Sequence, residues 1–170
     1  MGLSFDHMEH DVSNEVVIER IKQILSDFRQ SNPYLSDLPK ISRKFAHKKN
    51  DEQVIISDIL QIVQNHKLDV LKGAVVSIYY AHARPNLRCP VFFDHPLDHY
   101  PMAKLFELGR QLGITVCHKF NNVPLTGLMF VVNGIFIDFN KFAELDIPLE
   151  LIEIDINTKY KKTILYQNTG

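Results

Sequence analysis

The sequence predicts an α+β domain, with N-terminal helices packed on a mixed β-sheet and a C-terminal β-hairpin. Three observations lead there. Val17, Ile21, Ile24, Leu25 and Phe28 recur at helical spacing. The apolar run Ala74–Tyr80 has the length and composition of a buried strand. Leu128–Val132 and Ile135–Phe139 flank Asn133-Gly134, a pair that tolerates the positive φ angles of a tight hairpin.

Taken in order, residues 1–12 read as a flexible tail and 13–170 as one globular domain, helical over 13–67 and α/β over 73–166. Ser13 or Asn14 can cap the first helix, which Ser31-Asn32-Pro33 ends because the residue before proline leaves the α region. Asn50-Asp51-Glu52-Gln53 resembles a capping box, predicting a second helix to about His66 that buries Ile55, Ile59, Ile62 and Val63. Val91-Phe92-Phe93 reads as a short strand. Met102, Leu105, Phe106 and Leu112 give an amphipathic helix with Gly113 at its C-cap, followed by a strand from Ile114 to Phe120. That strand–helix–strand order implies a parallel pair with a right-handed crossover. Leu151–Ile156 alternates Glu153 and Asp155 with isoleucines, predicting a sheet with one solvated face. Thr163–Tyr166 adds an edge strand.

Composition narrows the function classes. The chain is 45 % apolar, enough for a core, and its net charge of −1 provides no global field for nucleic acid or anionic lipid. No apolar run reaches the length of a membrane span, and the N-terminus has no basic or apolar leader pattern, so the expected location is cytoplasmic. With seven glycines there is neither a GxGxxG nor a GxxxxGK[ST] phosphate loop.

Two candidate sites remain. Cys89, His95, His99, Cys117 and His118 offer nitrogen and sulfur ligands of the kind zinc takes, and Asp94 and Asp98 could orient the imidazoles. Zinc is the metal this cluster would take; Pro96 interrupts the segment and neither CxxC nor HExxH is present, which favours the alternative, a polar loop with no cofactor. Lys40, Arg43, Lys44, Lys48 and Lys49 surround Ile41 and Phe45 and could contact phosphates; nucleic acid would bind only here.

Residues 74–130 resemble the cytoplasmic C-terminal domain of the FlhB/YscU family of type III export switch proteins. The counterparts are Val75–Tyr80, Pro90-Val91, Ala103–Leu112, Gly113–Val116 and Pro124-Leu125 through Met129-Phe130. The family's Asn-Pro-Thr-His loop is absent, so its autoproteolysis does not carry over. The resemblance implies a docking module, a component or adaptor of a bacterial secretion or export apparatus. The reading is therefore a non-enzymatic protein-interaction or regulatory domain with a protein partner or a second copy of itself. Its alternative is a metal-dependent hydrolase or nuclease using residues 82–118.

Overall fold

The computed structural model describes residues 14–67, 75–87, 97–131, 143–157 and 161–168. Helix α1 (Asn14–Ser31) is followed by irregular chain with two short 3-10 turns. Strands β1 (Leu60–Lys67) and β2 (Val75–His82) come next, then helix α2 (Met102–Phe120), then β3 (Leu149–Asn157) and β4 (Lys161–Asn168). The sheet order is β1-β2-β3-β4, and every neighbouring pair is antiparallel. The α+β class is as the sequence predicts.

Alternation along the two central strands explains the layering. Val76, Ile78 and Tyr80 of β2 and Ile152, Ile154 and Ile156 of β3 face α1, meeting Val17, Ile21 and Leu25. Tyr79 and Ala81 of β2 with Leu149 and Leu151 of β3 face the other way, onto Leu108, Leu112 and Val116 of α2. Because helices cover both faces, the central strands are apolar on both sides. The alternation at Leu151–Ile156 therefore does not mark a solvated face: Glu153 is fully buried on the α2 side.

Two predicted elements differ. Residues 50–66 are not a helix. Asp51–Gln53 makes one 3-10 turn, in which the Asn50 N–H donates to Gln53 Oε1 at 3.3 Å, and the chain then runs extended into β1. Ile55, Ile59, Ile62 and Val63 fit a helical stripe by spacing, but β-branched residues suit a pleated surface, and pairing with β2 decides the matter. His66 consequently sits exposed on an edge strand rather than at a helix end. Its strand carries two register shifts opposite β2, with Asn65 in the left-handed region.

Residues 114–120 are likewise not a strand. They continue α2 to a length of about 28 Å. Leu105, Leu108, Leu112 and Val116 keep one helical stripe against the sheet, so the β-branched Ile114, Thr115 and Val116 are held helical by packing. Gly113 lies inside the helix, and the left-handed residue after its end is Asn122, at φ 55°. There the N–H groups of Asn121 and Val123 both donate to the Cys117 carbonyl. No parallel pair exists among the described residues. Residues 1–12, the strand at Val91–Phe93 and the Asn133-Gly134 turn lie outside them; residues 128–131 are described and carry no strand.

Candidate functional site

The α2 helix does not present a plain amphipathic pattern. Glu107, Arg110, Gln111 and His118 fall on one side of it, since steps of three, four and seven residues return to the same face. That side meets residues 41–55. Ile41 pairs with Ile56 through its N–H, and Ile41 and Ala46 are buried in the core, so the turn between them is pressed against α2. The turn closes when the Lys48 N–H donates to the Arg43 carbonyl at 2.9 Å. This closure needs His47 in the left-handed region, at φ 51°. Histidine is among the few residues that visit it with any frequency.

Glu107 is the centre of the first group. It accepts from Arg110 Nε at 2.7 Å and Arg110 Nη2 at 2.8 Å, from Gln111 Nε2 at 2.8 Å and from Lys48 Nζ at 2.6 Å. Burial alone would raise its pKa, but the hydrogen bonds from Arg110, Lys48 and Gln111 outweigh it and hold the carboxyl down to about 2. Glu107 is thus a fixed anion at neutral pH, holding two cations in place rather than exchanging protons. Gln111, fully buried, ties the helix to the neighbouring chain. Its Oε1 accepts the Ile55 N–H at 3.0 Å, and its Nε2 donates to the Gln53 carbonyl at 2.9 Å.

The second group lies two to three turns further along α2. His118 Nδ1 is 2.8 Å from the Val123 carbonyl, and its Nε2 is 2.7 Å from His47 Nε2. A carbonyl only accepts, so His118 carries a proton on Nδ1, and its neutral form offers a bare Nε2. His47 therefore donates from Nε2, which leaves its Nδ1 bare. Phe130 sets its ring edge-on to both imidazoles, with centroids 5.5 Å from His47 and 5.3 Å from His118. His118 is buried and His47 exposed. Partial burial, then His118 and Arg110, lower the His47 pKa from its ordinary value.

A separate polar network lies on the α1 face. Arg29 donates two bonds to Glu150 Oε2, at 3.0 Å from Nε and 2.6 Å from Nη2. Tyr80 Oη donates to Glu150 Oε1 at 2.7 Å and lies 2.8 Å from His82 Nε2. Burial lowers the His82 pKa and, with Glu150, raises that of Tyr80.

The expected sites are partly regrouped. Cys89, Asp94 and His95 lie outside the described residues. Asp98 and His99 form an exposed pair, with Oδ1 2.6 Å from Nδ1, and the chain here pairs with residues 143–145 before entering α2. Cys117 lies next to His118 on a helix, not on a strand. Among the described residues no three His, Cys, Asp or Glu side chains converge to hold a metal. The basic stretch also divides. Lys48 is on Glu107, Arg43 bonds the Lys49 carbonyl and approaches Asp51 at 3.8 Å, Lys40 bridges Ser57 through its backbone, and Lys44 and Lys49 are exposed. Sequence reasoning missed Glu107, Arg110, Gln111 and His47. The available signal was Glu-x-x-Arg-Gln in the middle of an otherwise apolar helix, where a charged pair needs a reason.

These features define an α+β domain in which a long, nearly buried helix lies across an antiparallel sheet and turns its polar side to a loop. The chain belongs to the A-factor biosynthesis hotdog domain family, AfsA, whose sequence model matches residues 29–165. That membership overturns the resemblance to the FlhB/YscU switch domain, which rested on hydrophobic patterning, and leaves the secretion role without support. No curated protein and no solved structure matches the chain.

Proposed function

We propose that the chain is a biosynthetic enzyme, in keeping with the A-factor biosynthesis of its family's description, and that the polar side of α2 is its working surface. The observation that carries this reading is the Glu107 group. One carboxylate holds Arg110 and Lys48 rigidly in a half-buried setting, with a net charge of +1 across the three side chains. Fixed cations in a partly water-excluded place stabilise negative charge as it develops on a substrate oxygen. A carbonyl compound or an organic anion is therefore the substrate class that fits.

The test needs no prior substrate. The wild-type chain, Arg110→Ala and Arg110→Lys are expressed in one host, and organic extracts are compared by mass spectrometry. A compound made with the wild type and lost in both variants, with circular dichroism unchanged, supports the reading. Extracts identical across the wild type, both variants and an empty vector would sink it.

Leu125, Leu128, Met129 and Val131 favour a second reading that is compatible with the first. Four exposed apolar residues within seven positions suit a protein contact, and self-association is its simplest form. Sedimentation of Met129→Asp against the wild type tests it: equal mass at equal concentration speaks against self-association here.

A further inference from the structure

We propose that His47 is a catalytic general base on this surface and that His118 is the residue that positions it. The inference rests on the enzymatic reading above and names the group that moves the proton. Glu107 cannot do so at neutral pH, because it stays ionised among its three donors. The geometry assigns the task along the aromatic row. The Val123 carbonyl fixes the His118 tautomer at 2.8 Å, and His118 Nε2 in turn fixes that of His47 at 2.7 Å. The chain of partners ends at His47 Nδ1, which takes no other hydrogen bond among the described residues and belongs to an exposed side chain. An orienting group, then an imidazole, then an open lone pair is the arrangement a general base requires. The groups that face His47 are His118 and Arg110 from α2 and Phe130 from the segment after it; Lys48 and Lys44 are its neighbours on its own turn.

The step balances without any further reagent. A C–H or O–H proton of the substrate moves to His47 Nδ1, and the bonding pair stays on the substrate, where the Arg110 and Lys48 side of the surface receives the negative charge. His47 becomes an imidazolium that still donates from Nε2 to His118, and His118 keeps its proton on Nδ1 toward Val123. The proton then returns to product or solvent, restoring the starting state.

Two experiments test this. Two-bond proton–nitrogen spectra of the purified, nitrogen-15-labelled chain should place the neutral His118 proton on Nδ1 and the neutral His47 proton on Nε2. The opposite tautomer at His118 would overturn the proposal. In the second, purified wild type, His47→Asn and His118→Gln are added to an extract of the producing host, and the compound found in the comparison above is followed against pH. Asparagine accepts the left-handed backbone of position 47, so that variant should keep the fold. His47→Asn is expected to cut formation by about 100-fold. His118→Gln is expected to cut formation as well and to move the acid limb, because the partner that fixes the His47 tautomer is gone. Undiminished formation by His47→Asn, or an unmoved acid limb in His118→Gln, overturns the assignment of the pair. No compound from the wild type at all would instead overturn the enzymatic reading.

Discussion

At the scale of single residues, Gln111 and Thr115 make opposite cases for buried polarity. Gln111 satisfies the Ile55 N–H and the Gln53 carbonyl at once. Gln111→Leu keeps the volume but leaves both backbone groups without their partner. It should cost roughly 3 kcal/mol in urea unfolding, the penalty for burying unmet polar groups. Thr115 is one turn further along the same helix, and its buried hydroxyl has no hydrogen-bond partner. Thr115→Val keeps the shape and removes the unmet group, so it should be neutral or stabilising by up to about 1 kcal/mol. A clear loss of stability would mean that the hydroxyl has a role the packing does not reveal. Gln111 was readable as a residue of a helix, whereas Thr115 fell in the stretch expected to be a strand; that Gln111 meets backbone partners was not legible, because they come from residues 53–55.

At the scale of elements, α1 is held to the sheet by its apolar stripe and by the Arg29–Glu150 ion pair. Arg29, in the last turn of α1, reaches Glu150 at the start of β3, and Phe28 lies 5.4 Å from the Tyr80 ring. Truncating Arg29 leaves Glu150 buried with too little compensation, which is worse than having no charge there at all. Arg29→Met should therefore destabilise by roughly 3 kcal/mol. Arg29→Met combined with Glu150→Gln should recover part of that loss. Equal losses in the single and double variants would show that the pair is not what couples α1 to β3. The element boundaries tell a related story. The first helix and the two central strands follow from the sequence to within a few residues, because each is strongly patterned. Residues 50–66 and 114–120 do not, since both carry β-branched runs whose spacing fits helix and strand alike.

At the scale of the whole molecule, the titrating groups set how stability responds to acid. His82 is buried with its pKa lowered, so its contribution is complete above its ordinary value of 6.5 and is lost as pH falls below it. Glu107 has its carboxyl held to about 2 against an ordinary 4.5, so its contribution is present above 4.5 and lost as pH falls toward 2. Urea midpoints across pH should thus fall in two stages. Glu107→Gln should remove the lower stage, worth up to roughly 3 kcal/mol. A lower stage that persists in Glu107→Gln would assign it to other carboxylates. No helix among the described residues is long and apolar enough to cross a membrane.

What the sequence determined by itself was its class, the first helix and the two central strands. A stripe at helical spacing and a continuous apolar run bury each other when helices pack on a sheet, but that both sheet faces are covered was not legible, since Leu151–Ile156 reads as having one solvated face. The tertiary structure alone decided the length of α2 and the company its polar residues keep. Packing against Tyr79, Leu149 and Leu151 outweighs the local preference of Ile114, Thr115 and Val116, and so carries the helix on to His118. Only that extension brings His118 onto the side of α2 that holds Glu107 and faces His47 and Lys48. The contacts between those residues span some sixty to seventy positions of chain, and no local pattern encodes a distance of that kind.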